Sequence, residues 1–496
     1  MNSLQNMQKT YIVLDTEYEI LLFDYLSLTI VKIGEEHKQV LQLIDNNKYD
    51  KNTASIKIKK AYQDICDLAK RNIAFHSKEI SCPLPDNYNF FHAEISFPTI
   101  HKCNLKCKYC FADAGEKFAK SHKEVIISEK IICKALEYMV YTLAPYANYY
   151  RIDFVSGGEP LLQYKTIQFV QRQAVQLSNK IGKPILIWAC TNGTCFNDAT
   201  IKMLNDTHLS IGISLDGPQK KHDSARIFKD GTGTYDTVLN TIDYLSKNMN
   251  TTRKIKDAWV LSVLHKENLN PLEILEHHIS CGFNTIQMTP ARLPNNHPLA
   301  IGNKEMDELI SNYHKMKRKI IYEIFNNNIS SLKIILNDRD CLGRIILLLI
   351  QKQKLIYRCG AGKYKIAVAA NGDIYPCDSF VGDEQFIIGN LFSSEKKLNN
   401  KDFIQSHIFN RKPCSTCWNR YLCGGDCYYN SYVLTTKIMG VDEKRCTLKK
   451  ELSVCAIEIV YALSKNTPIF RSIVKFINKR RIIYKGERDA LCQHQT

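Results

Sequence analysis

The sequence predicts an α/β protein: a parallel sheet of six strand–helix units, with a small α+β unit before it and a cysteine-rich, turn-dense region after it. Three observations predict this. Between His92 and Met288, short apolar strands alternate with stretches of helical periodicity, the pattern of βα units on a parallel sheet. Residues 10–75 instead run as three short strands and then two helices. From Cys359 onward turn residues accumulate, and seven cysteines fall between Cys359 and Cys446.

Tyr11 to Leu14, Ile20 to Phe23 and Leu28 to Ile33 read as the three strands of the first unit. Glu35 to Asp45 and Ala54 to Lys70 carry apolar residues at helical spacing. Leu41, Leu43 and Ile44 are expected to face inward on the first helix, and Ile56, Ile58, Ala61, Ile65 and Leu68 on the second. Cys82-Pro83-Leu84-Pro85-Asp86-Asn87 is a turn-rich linker. The six strands of the sheet are expected at His92 to Phe97, Tyr150 to Val155, Ile185 to Cys190, Leu209 to Leu215, Ala258 to Leu264 and Thr285 to Met288. Helices lie between them, such as Glu129 to Leu143 and Lys165 to Ile181. Residues 305–358 read as a helical connector. Beyond it, Ile366 to Ala370 and Asp373 to Tyr375 flank Asn371-Gly372, a strong hairpin signal. The expected division is therefore 1–80, 90–304, 305–358, 359–450, and 451–496 for a C-terminal helix and basic tail.

The sharpest chemical signal is Cys103, Cys107 and Cys110 in the run HKCNLKCKYCF. Three thiolates at this C-x3-C-x2-C spacing suit three irons of a four-iron, four-sulfur cluster. The fourth iron is left open for a substrate or cofactor. Downstream stands Gly157-Gly158-Glu159-Pro160. The second cysteine group runs Cys359, Cys377, then Cys414-x2-Cys417-x5-Cys423-x3-Cys427, and finally Cys446. Four cysteines in paired spacing also suit structural zinc, so zinc is a competitor there.

From about His92 to Cys446 these motifs resemble those of the radical S-adenosylmethionine (SAM) enzymes. The second cysteine group resembles the SPASM extension, which in that family holds two auxiliary four-iron clusters. The resemblance implies a partial (β/α)6 barrel, SAM as cofactor, and three [4Fe-4S] clusters. The cluster loop, GGEP, Thr191-Asn192-Gly193 and Ser214-Leu215-Asp216-Gly217 would follow successive strands, where such barrels place their chemistry. Gly157 and Gly158, lacking Cβ, would let the backbone approach SAM, and Glu159 would accept from its ammonium group. Arg226 resembles the family's carboxylate-binding arginine, its fork matched to a carboxylate. Asn192, Ser214 and Asp216 resemble residues that touch the ribose or methionine part, and Tyr109 either offers an aromatic face beside the adenine or packs under the loop. By the family pattern Cys414, Cys417, Cys423 and Cys446 would ligate the outer auxiliary cluster, and Cys359, Cys377 and Cys427 the inner one. Gly360 to Lys365 contains no further cysteine. Either Cys341 supplies the fourth inner ligand, or one iron is open to a substrate thiolate.

Composition narrows the setting. The chain has 496 residues and 45% hydrophobic content, enough for several cores. Of 19 cysteines, Cys66, Cys82, Cys133, Cys190, Cys195, Cys281, Cys455 and Cys492 read as incidental thiols. MNSLQNMQKTY has no apolar h-region, and the run Ile345 to Ile350 is far too short to span a bilayer. A reducing cytoplasm is expected, with no membrane partner. The net charge is +17, but the excess is spread along the chain, densest at Lys475 to Arg488. No aromatic-interleaved basic stripe argues for nucleic acid.

Residues 10–75 resemble the winged-helix-like element that binds the leader in ribosomal-peptide modifying enzymes. The resemblance thus implies a peptide maturase that forms a thioether crosslink on a precursor peptide, with a flavodoxin or ferredoxin as electron donor. Asp378, directly after Cys377, also resembles the base of the anaerobic sulfatase maturases, which oxidise cysteine or serine to formylglycine; it is the candidate catalytic residue of that alternative. An iron-sulfur electron relay and a leader-binding scaffold are the non-enzyme alternatives.

Overall fold

The computed structural model describes residues 9–479 apart from 76–90, 99, 116, 118–125, 156, 208, 249–257 and 395–397. The expected linker Cys82 to Asn87, Cys492 and the tail from Arg480 lie outside the described residues.

Strands β1 (Tyr11–Asp15), β2 (Ile20–Asp24) and β3 (Thr29–Ile33) form an antiparallel sheet in that order. Thr16 shapes the first turn, its hydroxyl donating to the Glu19 carbonyl at 2.6 Å. Helices Glu35–Asp45 and Ile56–Lys70 follow, the second capped by the Ser55 hydroxyl, which accepts from the Ile58 amide. Leu22, Val40, Leu41, Ile58, Ala61 and Ile65 share one buried core. Ile56, expected inward, is 86% exposed. It stands two residues, or about 200°, around the helix from Ile58, on the opposite face. Leu43, Ile44 and Leu68 are half-buried at the margin of the core.

Alternation sends Leu21 and Phe23 of β2 to the other face of this sheet. There they join a larger core with Ile320, Ile346 and Ile457. Phe23 meets Trp418 edge-on at 6.3 Å, and the Arg420 guanidinium lies 5.2 Å over the Tyr25 ring. The unit is thus packed on one face by its own helices and on the other by the connector and the cysteine-rich region.

Among the described residues the central sheet has nine strands. β4 (His92–Ser96), β5 (Tyr149–Phe154), β6 (Ile185–Thr191), β7 (Leu209–Ser214), β8 (Trp259–Leu264) and β9 (Ile286–Pro290) pair in sequence, all parallel. This is the expected six-stranded βα array. Past Cys359, β10 (Lys365–Val368), β11 (Asp373–Tyr375) and β12 (Gly389–Asn390) extend it, giving the order β12-β11-β10-β4-β5-β6-β7-β8-β9. β10 lies parallel to β4 with Lys365 opposite Glu94. The hairpin around Asn371-Gly372, Gly372 at φ +88°, therefore covers the barrel's first edge instead of standing apart. An edge left unpaired would invite association.

Along the barrel strands Ile95, Ile152, Ile187, Ile211 and Val260 face the helices. Several of the residues that alternate with them are polar or aromatic, among them Glu94, Arg151, Asp153, Trp188 and Trp259. Arg151 binds Glu94 at 2.6 Å and Asp153 at 2.9 Å, with Lys365 3.5 Å from Glu94. Burial alone would push the Glu94 carboxyl up; Arg151 and Lys365 instead hold it well below the usual carboxylate range. Arg339 stacks on Trp188 and Trp259 at 4.3 and 4.9 Å.

The connector forms helices Asn303–Phe325, Ser330–Ile335 and Cys341–Gln351. The C-terminal helix begins at Glu443, earlier than expected, and runs to Lys465, so Cys446 rides on its first turn. It is clamped to the connector by the buried Lys317–Glu458 pair at 2.8 Å. No helix among the described residues is long and apolar enough to cross a membrane.

One interior position tests this packing. A Cβ on Gly212 of β7 would lie 2.3 Å from the Trp259 ring. Gly212→Ala is expected to destabilise the protein by about 1–3 kcal/mol, the cost of overpacking, measured by urea denaturation. Gly182, at φ +65° with open space around its Cβ position, supplies the control: Gly182→Asn is expected to be tolerated, since asparagine accepts this helix-end conformation.

Candidate active site

The loop after β4 carries Cys103, Cys107 and Cys110, all half-buried. Its backbone is stitched to the segment around Arg226: the Lys106 amide donates to Ile227 and the Lys108 amide to Ala225, both at 2.9 Å. N–H groups point at the sulfurs. The Leu105 amide and the Asn192 side chain donate to Cys103 Sγ at 3.4 and 3.7 Å, and the Ala114 amide to Cys110 Sγ at 3.4 Å. Burial pushes the Cys107 thiol up to about 11, with Cys110 and Cys103 adding to the rise and Arg226 opposing it. The three thiols thus face one another beside an arginine. This donor set, with N–H groups on the sulfurs, fits a thiolate-held cluster. Among the described residues no three His, Cys, Asp or Glu side chains close on the volume of a single metal ion; a four-iron cluster needs its thiolates spread around a larger body.

The GGEP turn after β5 seats on this loop. A Cβ on Gly158 would lie 1.8 Å from the Lys102 carbonyl oxygen, and one on Gly157 (φ +99°) 2.8 Å from the Pro98 side chain. What the glycines make room for here is the cluster loop itself. The Glu159 amide then donates to Lys102 O at 3.0 Å. The Glu159 carboxylate is buried and accepts three bonds: Leu161 N at 3.1 Å and Thr191 Oγ1 at 2.6 Å on Oε1, and Asn192 N at 2.7 Å on Oε2. A carboxylate has about four acceptor sites, so one on Oε2 is unused by these bonds.

Arg226 is buried. Its Nη1 donates to the Tyr109 hydroxyl at 2.9 Å, and that hydroxyl donates to Asp216 Oδ2 at 2.5 Å. The sequence gives Tyr109 an aromatic face for adenine or a place under the loop. In the structure its ring packs against His265 and its hydroxyl is held between Arg226 and Asp216. Below them His222 is pulled down to about 2 by burial and then by Arg226. The neutral ring accepts from the Asp216 amide through Nδ1, so its proton sits on Nε2, 2.8 Å from Thr234 Oγ1. Thr234 in turn donates to the Arg226 carbonyl. Among the described residues Arg226 Nε is buried without a hydrogen-bond partner, a donor that a carboxylate would satisfy. Asn192 Nδ2 is bonded to Asn104 at 2.8 Å. Ser214 ends β7 beside Cys190, 3.8 Å away.

The seven later cysteines lie in two places. Cys359, Cys377 and Cys427 line one core, which also contains Cys110 and Phe111 of the first loop. Burial, then Asp378 and Cys427, push the Cys377 thiol far up. Cys414, Cys417, Cys423 and Cys446 lie together: burial pushes the Cys446 thiol up, with Cys423 and Cys414 adding to the rise, and burial pushes the Cys414 thiol up, with Cys423 and Cys417 adding. The Asn419 amide donates to Cys417 Sγ at 3.4 Å. Between the sets Asp426 binds Arg445 at 2.9 Å and Lys449 at 2.5 Å. Cys341 opens the last connector helix, and Arg445 feels both it and Cys427. Cys341 packs at the edge of the connector core, and its charged neighbours are Asp340, Arg358, Arg445 and Lys449.

A radical SAM superfamily pattern matches residues 97–277, and an iron-sulfur cluster-binding SPASM pattern matches 359–418. The chain carries a radical SAM domain followed by a SPASM domain. It is similar to a cysteine-type anaerobic sulfatase-maturating enzyme of Clostridium novyi (strain NT), 24% identical over 67% of this chain and 87% of that one. A serine-type enzyme of the same kind from Klebsiella aerogenes is 24% identical over 66% of this chain and 76% of its own. Among solved structures, native anSMEcpe with bound AdoMet and Kp18Cys peptide superposes with TM-score 0.61 at 17% identity, over 76% of this chain and 99% of that one.

Three charged residues near the SPASM cysteines escaped the sequence reading. Asp378 is buried, with Lys365 Nζ 3.8 Å from its Oδ1. Arg292 Nη1 donates to Ser379 Oγ at 2.5 Å, and Lys117 Nζ to the Ser379 carbonyl at 2.9 Å. Arg292 follows the end of β9, where barrels concentrate chemistry, and that signal was available. Lys365 sits on the inward side of a four-residue strand with no motif to mark it, and Lys117 has none either.

Gly158 gives this site its test. The Lys102 backbone cannot yield like a flexible side chain, so Gly158→Ala is expected to displace the loop bearing Cys103. After anaerobic reconstitution, the variant should lack the same cluster as a Cys103, Cys107, Cys110 triple alanine variant, read from iron content and the absorbance of the bound clusters. Full iron content would show that the loop tolerates the shift.

Proposed function

We propose that this chain is an enzyme that uses SAM and three [4Fe-4S] clusters to modify a ribosomally made precursor peptide, joining a cysteine sulfur to another residue as a thioether. The observation that carries this reading is the inner cysteine set. Among the described residues its core brings together Cys359, Cys377 and Cys427 and stands against Cys110 and Phe111 of the first cluster loop, while Cys341 packs at the margin of the connector core. A cysteine of the substrate fits as the remaining donor.

When bound, the first cluster and SAM supply a 5′-deoxyadenosyl radical that abstracts hydrogen from the substrate. The chain's own residues hold the parts in place. Arg226 offers its free Nε–H to the SAM carboxylate, and Tyr109 and Asp216 fix the guanidinium. Glu159 offers its unused acceptor site to the ammonium group. Asn192 and Ser214 border the same space from β6 and β7. Gly157 and Gly158 keep the cluster loop seated. The electron comes from a flavodoxin or ferredoxin.

The N-terminal unit would hold the leader. Among the described residues β1 and β3 each pair on one side only, so either edge can take a peptide strand. The solved neighbour, almost wholly covered by 76% of this chain, leaves about a quarter of this chain with no counterpart in it. This supports an added element on a maturase core.

A second reading is favoured by the sulfatase-maturating relatives and by Asp378, buried beside Cys377 and against Lys365. Here Asp378 would take a proton from a cysteine or serine that is oxidised to formylglycine.

Two experiments separate these readings. Reconstituted enzyme should carry about twelve irons, four for each of three clusters; Asp378→Asn should then process a cysteine-bearing precursor at near the normal rate, followed by mass spectrometry. A loss of roughly a hundred- to ten-thousand-fold, the usual contribution of a general base, would favour the formylglycine mechanism instead. Deleting residues 1–80 should leave reductive SAM cleavage intact and abolish processing of full-length precursor. Unchanged processing would remove the leader-binding role from the N-terminal unit.

A further inference from the structure

Two cations that belong to the barrel reach across to the inner SPASM cysteines. Arg292 follows β9, and Lys117 follows the first cysteine motif. Arg292 donates to the Ser379 hydroxyl at 2.5 Å, two residues past Cys377, while its guanidinium lies 5.4 Å over the ring of Phe111, directly after Cys110. Lys117 Nζ donates to the Ser379 carbonyl at 2.9 Å and to the Tyr429 hydroxyl at 3.2 Å, and lies 4.6 Å from the centre of that ring. Tyr429 stands two residues past Cys427. The two cations are thus anchored beside Cys377 and Cys427, through partners two residues away from each.

The electrostatics agree with this placement. Burial pulls the Arg292 guanidinium down, yet Cys427, Asp378 and Cys377 together hold it above its ordinary value. Burial lowers Lys117, with Asp383, Cys377 and Asp378 opposing the fall. The facing carboxylate, Asp378, already has Lys365 within 3.8 Å. One-electron reduction adds a negative charge to a cluster. A nearby cation in a poorly screened site stabilises that charge, and a cluster's surroundings set its potential.

We propose that Arg292 and Lys117 raise the reduction potential of the inner auxiliary cluster, so that the barrel tunes the SPASM domain as an electron acceptor. This inference rests on the three-cluster reading. It makes Arg292 and Lys117 positioning charges that act through the cluster. The inner potential then depends on how the first cluster loop is seated.

The test is a redox titration of reconstituted full-length protein followed by electron paramagnetic resonance. The inner signal is the one lost when Cys359, Cys377 and Cys427 are changed to Ala. Arg292→Met and Lys117→Met should each shift its midpoint to more negative potential. At a fixed poise the ratio of reduced to oxidised cluster should fall about tenfold per charge removed, or about 59 mV for a one-electron couple. Arg292→Lys, which keeps the charge, should restore most of the shift. The other two signals should hold their midpoints. If Arg292→Met fails to load iron, half-buried Lys117 carries the test alone. An intact inner signal with an unmoved midpoint in the charge-removing variants overturns the inference. If the triple alanine change removes neither iron nor a signal, the three-cluster reading falls and takes the inference with it.

Discussion

The GGEP turn rests directly on the backbone of Lys102, and three loops are fixed by that contact. Gly158 has no room for a Cβ, so the turn and the cysteine loop meet as two bare backbones. The Glu159 amide bonds the same Lys102 carbonyl, and its carboxylate reaches across to Thr191 and Asn192 after β6. Asn192 then returns to Cys103 and Asn104. The ends of three consecutive strands are thereby closed into one ring around the first cysteine set. A buried carboxylate without partners would be costly. Glu159 is affordable here because it organises the loops that satisfy it.

The same logic runs through the barrel interior. Arg151, Glu94, Asp153 and Lys365 are buried together, and each carboxylate has a cation beside it. Lys365 comes from β10, beyond Cys359, so the interior of the radical SAM domain is completed by a strand of the SPASM region. The two regions share a sheet, a charge network and, through Arg292 and Lys117, the surroundings of the inner cysteines. Separating them would leave an unpaired strand edge and uncompensated buried charge, and removing one member of such a pair costs far more than the pair contributes.

Much of this was legible in the sequence, because the signals are local. Periodicity located the first two helices and all six barrel strands to within a residue or two. The cysteine spacings marked two regions of the chain. What was not legible depends on distant pairing. Nothing in KIAV states that it will lie against HAEIS. The inward polar faces were visible as alternation, Glu94 and Ser96 on one strand and Arg151 and Asp153 on the next, but their role as a shared interior requires the closed sheet. Ile56 was misplaced because apolar character was counted without its angle on the helix. The aromatic type of Tyr109 is legible in the sequence, and its hydroxyl partners Arg226 and Asp216 are not.

The double-sided burial of β2 bears on how the chain is made. Residues 11–33 leave the ribosome ahead of the barrel and the connector, and one face of their sheet packs on the two helices that follow directly. The other face, with Leu21 and Phe23, is covered by the connector, by Trp418 and by the C-terminal helix, all of which are synthesised late. The nascent protein therefore carries an apolar sheet face, and likewise the bare edge of β4, through most of translation. Such surfaces are what chaperones hold and what aggregation exploits. Trp418 adjoins Cys417, so under the proposed three-cluster reading the surface that receives Phe23 would take its final shape only as iron is delivered, and cluster insertion would be a step of folding as well as of cofactor loading.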